Sequence, residues 1–281
     1  MSLTGLLVAL GGIIVYAEGG DPLLGVGVAF IVASVMGAFS WFAGASIILA
    51  MSGAKKVTHE SDPQLFNVVE EMKIASGLPM PDVYIIEEDA PNAFATGRDQ
   101  DHSAVAVTRG LLNKLNRDEL QGVIAHEFSH IRNLDIRYAM LVGVLVGATA
   151  LIADAFLRGF GRGGKRGSNP ALLALALVFA ILAPISAKIL QMAISRSREF
   201  MADASAVELT RNPDGLASAL AKITQDPAPL AAANRATQHL YIVNPVKSFN
   251  MDSKALFSTH PPTEARINKL VAMGATGKYT A

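Results

Sequence analysis

The chain has 281 residues, of which 51% are apolar and 17% are charged, whereas roughly 25% are charged in an average soluble protein. The mean hydropathy of +0.35 indicates that apolar segments face lipid. Because 24 basic residues balance 24 acidic ones, no basic surplus exists to neutralise phosphates, and we expect no nucleic-acid partner. Cysteine is absent, which excludes disulfides, thiolate metal sites and cysteine nucleophiles and leaves His, Asp and Glu as strong metal ligands.

Four stretches of the chain carry no charge: residues 1–17, 22–54, 138–153 and 167–187. Because a helix needs about 20 mostly apolar residues to cross a bilayer, the second and fourth are long enough for a span. The first and third are short, and would cross only if the local bilayer adapts to them. The first could instead be a cleaved signal peptide, but its first five residues contain no Lys or Arg, so we favour a hairpin anchor.

These stretches predict two apolar hairpins and a polar body in two parts. The N-terminal transmembrane hairpin is residues 1–54, the second hairpin is 138–187, and the polar body comprises 55–137 and 188–281. The connection inside the first hairpin is acidic, whereas Lys55 and Lys56 follow its second span, which places the polar body in the cytoplasm. Basic residues between 158 and 166 oppose this orientation, so the second hairpin either spans the bilayer or is partly embedded.

The first part of the polar body predicts a helix, short strands and a second helix. Pro63 at a first helical position and Gly77 after the last turn bound the first helix. Strands are predicted at 83–86, 92–97 and 103–108. Asn116 and Glu119 form a capping box that opens the second helix, which we expect to run to about Leu134. Its apolar face has helical spacing and consists of Leu120, Val123, Ile124, Phe128 and Ile131.

The second helix carries the sequence His126-Glu127-Phe128-Ser129-His130, an H-E-x-x-H pattern. Two imidazoles four residues apart project from one face and can share one Zn²⁺, with Glu127 beside them. Chance would produce this pattern in roughly one such chain in 200. The residues flanking the pattern are uncharged, which argues against an exposed helix with two incidental histidines. We therefore predict that His126 and His130 bind a metal ion.

A catalytic zinc site needs a third protein ligand and an open fourth position. Glu199 is the best candidate by spacing, because Asp203 lies one turn further on the same helical face. From there Asp203 could accept the second ring N–H of a ligand histidine. A helix with surface charges explains the same pattern, and four other histidines remain as candidate ligands: His59, His102, His239 and His260.

Several motifs in this order resemble the HtpX family of bacterial membrane-bound zinc endopeptidases, which belongs to the gluzincin group. They are the N-terminal apolar hairpin, 92–97, the H-E-x-x-H motif, Glu199 with Asp203, and 258–266. The resemblance covers essentially the whole chain. It implies an α+β, mostly helical integral membrane protein, with a zincin-type catalytic domain that contains a small sheet and the H-E-x-x-H helix. It also implies one Zn²⁺ per chain, held by His126, His130 and Glu199, with Asp203 behind the ligands.

The resemblance further implies a site for extended substrates and a catalytic base. Glu127 would take a proton from the attacking water and return it to the leaving amine. The strand that pairs with substrate through its main chain would comprise Asn92, Ala93, Phe94, Ala95 and Thr96, with Asn92 fixing its end.

The C-terminal motif would add His260 and Arg266 to the site. His260 precedes two prolines, which favour an extended backbone, and a final helix from Thr263 would direct Arg266 the same way. On residues alone, a surface turn explains this segment as well. The resemblance implies that His260 either binds the oxyanion or acts as a temporary zinc ligand that keeps the enzyme idle.

The expected substrates are proteins, chiefly misfolded or damaged membrane proteins, and copies of the chain itself are candidates. We expect the enzyme to reside in the cell inner membrane as a multi-pass protein in contact with the lipid bilayer, with its catalytic domain in the cytoplasm. Two alternatives stay open: a peptidase that processes one dedicated substrate, and a non-catalytic membrane scaffold that binds zinc. Glu127 argues against the scaffold, because a structural zinc site needs no base.

Overall fold

The computed structural model describes residues 12, 15, 20–141, 196–227, 240–243 and 261–275. The chain divides into two compact units. One unit comprises Met1–Gly44 and Leu141–Ile189, and the other comprises Ala45–Met140 and Leu190–Ala281. All polar motifs identified in the sequence belong to the second unit.

The first long helix, α1 (Pro22–Met51), has apolar side chains on its surface. Leu23, Phe39 and Phe42 are 75%, 60% and 71% exposed. Within the described part of the chain, no helix meets both the length and the hydropathy expected of a membrane span. The assignment of 1–54 and 138–187 to membrane hairpins stays a prediction, and most of the second stretch lies outside the described residues.

A small sheet forms one wall of the second unit. Its strands are β1 (Lys55–Lys56), β2 (Asp82–Ile86), β3 (Ala93–Gly97) and β4 (Ser103–Thr108). The order is β1-β2-β4-β3, in which β4 is parallel to β2 and antiparallel to β3. The sequence predicts β2, β3 and β4 to within one residue, but two lysines carry no strand pattern and β1 was not expected. Among the described strands, β3 lies at an edge of the sheet.

Helix α2 (Pro63–Ser76) has the predicted boundaries. Pro63 occupies the first turn, and Gly77 ends the helix with a φ of 70°, a left-handed conformation that glycine adopts without steric cost. Four apolar residues at helical spacing are buried against the core: Leu65, Val68, Val69 and Met72.

Helix α3 (Arg109–Lys114) leads into α4 (Arg117–Arg132), which carries the H-E-x-x-H motif. The predicted capping box is present, because the Asn116 side chain accepts from the Glu119 N–H and Glu119 accepts from the Asn116 N–H. The five predicted apolar positions of α4 are at most 1% exposed. The helix ends at Arg132 rather than Leu134, since Leu134 has a φ of 58°. Residues 135–141 are helical again.

Three further helices complete the described part of the second unit: α5 (Arg196–Thr210), α6 (Pro213–Gln225) and α7 (Thr263–Ala275). Helix α4 packs against α5 and α6, and α7 packs against α6. A Cβ atom at Gly122 would lie 2.8 Å from the Leu216 backbone nitrogen, so the approach of α4 to α6 requires glycine there. The described fold is mostly helical with a small sheet, as expected.

Candidate active site

Helix α4 directs His126 and His130 toward each other from consecutive turns. Their Nε2 atoms lie 3.2 Å apart, and Glu199 approaches both from the first turn of α5. One Glu199 carboxylate oxygen lies 3.7 Å from His126 Nε2, and the other lies 3.6 Å from His130 Nε2. The three side chains therefore converge on one point, although Glu199 is 69 positions from the second histidine in the chain.

These three residues fit a metal ion by their chemistry and their spacing. One donor atom from each lies within 4.8 Å of the others. Two ligand atoms bonded at about 2.0–2.1 Å to a tetrahedral metal ion lie about 3.4 Å apart, close to the separations found here. Two neutral imidazoles and one carboxylate also form a donor set of known catalytic metal sites.

Behind His126 lies a buried carboxylate that is held by a buried arginine. Asp203 Oδ1 is 3.0 Å from His126 Nδ1. Arg266, from the first turn of α7, donates to both Asp203 oxygens at 2.9 and 2.6 Å and lies 3.4 Å from Glu199. All four residues are at most 2% exposed. Helix α7 therefore brings Arg266 to the three residues, whereas His260 lies outside the described residues.

A second carboxylate, which the sequence analysis missed, lies behind His130. Asp135 Oδ2 is 3.1 Å from His130 Nδ1, and the other Asp135 oxygen accepts from the Arg198 guanidinium. The signal was present in the sequence, because Asp135 follows the motif by five residues and Arg198 precedes Glu199. It could not be used, since a helix continued to Leu134 would not return Asp135 to His130.

The two histidines have pKa values shifted in opposite directions. Burial, together with the Arg266 charge, lowers the pKa of His126 to about 4. Burial also lowers the pKa of His130, but the hydrogen bond to Asp135 and the charges of Glu199 and Glu127 outweigh it and raise this pKa to about 9. Asp203 is buried, yet Arg266 keeps its pKa well below the usual range.

Glu127 is buried beside His126, His130 and Glu199, which together are called the triad below. Burial and the neighbouring Glu199 carboxylate raise the pKa of Glu127 to about 7, which is close to the value that suits a general base at neutral pH. The backbone N–H of Ala95 donates to the Glu127 carboxylate. This hydrogen bond connects β3 directly to the candidate base.

The outer edge of β3 is partly paired with another segment of the chain. Ile242 donates its backbone N–H to the Ala93 carbonyl at 2.9 Å. The Asn92 side chain donates to the Val243 carbonyl at 3.0 Å, and Tyr241 packs edge-to-face on Phe94. Thr96 is fully buried. Segment 240–243, which carried no motif in the sequence, therefore lies along the strand predicted to bind substrate.

A cavity opens between this segment and the triad. Its floor is polar and contains Glu127, His130 and Glu199, and its wall is apolar. The wall includes Ile136, Ala139, Leu240 and Ile242. An extended peptide entering the cavity would meet apolar side chains next to the candidate base.

An H-E-x-x-H helix, a glutamate from a second helix that could complete a metal site, and a buried glutamate beside them are the features of a metallopeptidase. The sequence model of Peptidase family M48 matches residues 59–273 of this chain. The chain belongs to this family, and it is a metalloendopeptidase.

Its relatives include proteins named "Protease HtpX homolog" from several bacteria. That of Dictyoglomus turgidum is 47% identical over 268 residues, which cover 95% of this chain and 87% of the relative. That of Listeria monocytogenes serotype 4a is 46% identical, with 86% of each chain covered. The predicted resemblance to HtpX is thereby confirmed.

Among solved structures, Ste24p from S. mikatae has a similar fold, with a TM-score of 0.53 at 19% sequence identity. The similarity covers 95% of this chain but only 63% of the longer Ste24p chain.

Proposed function

We propose that the protein is a zinc-dependent endopeptidase anchored in the bacterial inner membrane, which cleaves misfolded or damaged membrane proteins on the cytoplasmic side. The convergence of His126, His130 and Glu199, with Glu127 beside them, carries this proposal. Zinc suits the site, since two imidazoles and a carboxylate with an open fourth position are a recurrent zinc set. When bound, the metal supplies Lewis acidity that activates water and polarises the scissile carbonyl.

Glu127 is the proposed general base and acid. Its carboxylate takes a proton from the attacking water and delivers that proton to the leaving nitrogen. A pKa of about 7 suits both steps, because the group can accept and release a proton near neutral pH. The Ala95 N–H fixes the carboxylate relative to β3, where we propose that substrate binds.

The proposed substrate strand keeps the predicted residues, Asn92 to Thr96, but the chain limits its free edge. The Ala93 carbonyl already accepts from Ile242, and Asn92 is engaged with Val243. A substrate would therefore pair beside Ala95, where the strand lies next to Glu127. Main-chain pairing tolerates many substrate sequences, which favours quality control over a single dedicated substrate.

Arg266 and Asp203 are proposed to support the triad. Asp203 holds the His126 ring through Nδ1, and Arg266 neutralises the carboxylates behind it. Because the Arg266 guanidinium is directed at Asp203 and the Ile242 carbonyl, we assign it to positioning rather than to the oxyanion. The role proposed for His260, as oxyanion donor or as a temporary ligand, rests on the family resemblance alone.

Membrane anchoring is supported by the exposed apolar side chains of α1 and by the uncharged stretch 22–54. Lys55 and Lys56 directly after this stretch favour a cytoplasmic catalytic domain. We propose that 1–54 forms the anchor, that 138–187 forms the second apolar hairpin, and that 55–137 with 188–281 forms the catalytic domain.

A cleavage assay with purified full-length protein in mild detergent tests this function. The substrates are casein and a detergent-solubilised membrane protein, with and without a chelator. Glu127→Gln should lower kcat by about 10² to 10⁴ while zinc content stays equal to that of wild type, because Glu127 is not a ligand. Glu208→Gln, a change at an exposed glutamate on α5, is the control and should cleave normally. Cleavage by Glu127→Gln at the wild-type rate would exclude the proposed mechanism.

A further inference from the structure

Each ligand histidine is backed by its own carboxylate, and each carboxylate is held by its own arginine. Behind His126 stand Asp203 and Arg266, as described above. Behind His130 stand Asp135 and Arg198. The two chains of contacts have the same chemistry, but the second one lies at the end of α4 and uses residues that belong to no recognised motif of the sequence.

Asp135 determines which nitrogen of His130 carries the proton. A carboxylate can only accept a hydrogen bond, so the contact of 3.1 Å with Asp135 Oδ2 requires the hydrogen on Nδ1. In the neutral ring, the form that binds metal, the lone pair then lies on Nε2, which is directed at His126 Nε2 and Glu199. This is the tautomer that a metal ion needs at Nε2.

The backbone before Asp135 is shaped to direct it back at His130. Helix α4 ends at Arg132, and Leu134 adopts a φ of 58°. A left-handed conformation costs a residue with a Cβ atom about 1–2 kcal/mol, and such strain persists only where the surroundings impose it. After this residue the chain becomes helical again at Asp135, a residue that is only 9% exposed.

Arg198 fixes the second oxygen of Asp135. It donates to Asp135 Oδ1, and its guanidinium lies 5.6 Å from the centre of the Tyr138 ring. Because Arg198 directly precedes Glu199 in α5, this ion pair ties the turn that carries Asp135 to the turn that supplies the third ligand.

We propose that Asp135 is a positioning residue for the metal site. Asp135 holds the His130 ring in the tautomer whose unprotonated Nε2 faces the metal ion, and Arg198 orients Asp135. This inference rests on the proposed zinc site. Asp135 also lines the cavity, but its contact with the three candidate ligands is the hydrogen bond to the His130 ring. The competing explanation is an ion pair that only joins α4 to α5 and contributes to folding.

Zinc affinity of the full-length protein in detergent separates these explanations. Metal-free wild type, Asp135→Ala and Asp135→Asn are titrated with Zn²⁺ against a chelator of known affinity, and thermal unfolding of each metal-free protein is recorded. Asp99→Ala is the matched control, because Asp99 makes the same carboxylate contact to a histidine ring, 2.7 Å from His102 Nδ1, at a solvent-exposed turn.

Asp135→Ala should weaken Zn²⁺ binding by about 10- to 100-fold, the range for residues that orient metal ligands. Asp135→Asn should weaken it less, because the amide oxygen can still accept from Nδ1. Asp99→Ala should bind Zn²⁺ like wild type. The metal-free variants at position 135 should unfold within a few degrees of wild type.

A zinc affinity of Asp135→Ala within threefold of wild type overturns the proposal. Equal losses in Asp135→Ala and Asp135→Asn, accompanied by a large drop in metal-free stability, also overturn it in favour of the folding role. If Asp135→Ala fails to fold, the test rests on Asp135→Asn. A Zn²⁺ affinity of Asp135→Asn equal to that of wild type would then exclude the proposal. Failure of wild type itself to bind Zn²⁺ would instead overturn the proposed function.

Discussion

The two sides of the metal triad have the same sequence of groups but a different exposure to solvent. On the His126 side, the histidine, Asp203 and Arg266 are all at most 2% exposed. On the His130 side, the Arg198 side chain is 40% exposed and that of Asp135 is 11% exposed. Charges that are sealed from water must be balanced by the protein, whereas solvent screens the charges on the open side. The difference predicts that the sealed pair contributes more to the free energy of unfolding than the open pair, although each pair is proposed to orient a histidine of the site.

Arg266→Ala should have the largest effect on stability. The change leaves Asp203 and Glu199 buried without their cation, and breaking a buried ion pair in this way costs about 3–5 kcal/mol. For a domain of this size, the midpoint of thermal unfolding in detergent should fall by on the order of 10 °C. A fall no larger than that produced by Arg198→Ala would remove the distinction between the sealed and open sides.

The metal-free protein should show opposite pH dependences on the two sides. The pKa of His130 is raised to about 9, so its contribution is fully present below about pH 6.5 and is lost as the pH rises through about 9. The pKa of His126 is lowered to about 4, so its contribution is present above about pH 6.5 and is lost as the pH falls through about 4. A shift of either size is worth at most about 3 kcal/mol.

Thermal unfolding in chelator between pH 4 and pH 9 measures both effects. The destabilisation caused by His130→Gln should shrink as the pH rises from 6.5 to 9, and that caused by His126→Gln should shrink as the pH falls from 6.5 to 4. Parallel pH profiles for the two variants would contradict the asymmetry.

Gly122→Ala tests the helix that carries both histidines. The added Cβ would meet the backbone of Leu216 at 2.8–2.9 Å, and neither backbone can move without separating α4 from α6. We expect the free energy of unfolding to fall by about 2 kcal/mol, as for other overpacked cores. Zinc affinity should fall as well, because α4 carries both histidines of the site. Gly274→Ala is a milder control, because its nearest atom is a Pro213 side-chain carbon at 3.3 Å. Equal melting temperatures for the two variants would show that α4 and α6 separate freely.

Arg198→Ala should have the smallest effect on stability, at most about 1 kcal/mol, because the ion pair with Asp135 is partly open to solvent. Unfolding of the metal-free protein should therefore be nearly unchanged. Its zinc affinity should fall measurably, since Asp135 loses the group that orients it. A large loss of stability without a change in zinc affinity would reverse the roles assigned to the two arginines.

Sequence patterns predicted the parts of the site that depend on local spacing. The capping box of Asn116 and Glu119, the apolar face of α4 and the pair of histidines follow from the periodicity of one helix. The boundaries of α2 follow from Pro63 and Gly77. In each case the residues that signal the structure also make the contacts.

The missed features depend on conformations or contacts that the sequence does not signal. Leucine rarely adopts positive φ, so nothing in the sequence indicated the turn at Leu134, and without that turn the spacing of Asp135 from His130 did not predict a contact. The Ile242 N–H donates to the Ala93 carbonyl although 149 positions separate the two residues in the chain, and no spacing rule predicts such a contact. Arg266 was found only through a family resemblance, because its partner Asp203 lies 63 residues earlier.

The docking of α7 ties the site to the order in which the chain is made. His126, His130 and Glu199 all precede Arg266 in the sequence, so these three residues are synthesised before the arginine that donates to Asp203 and lies 3.4 Å from Glu199. The contacts behind His126 can therefore form only after α7 has been made and packs against α6.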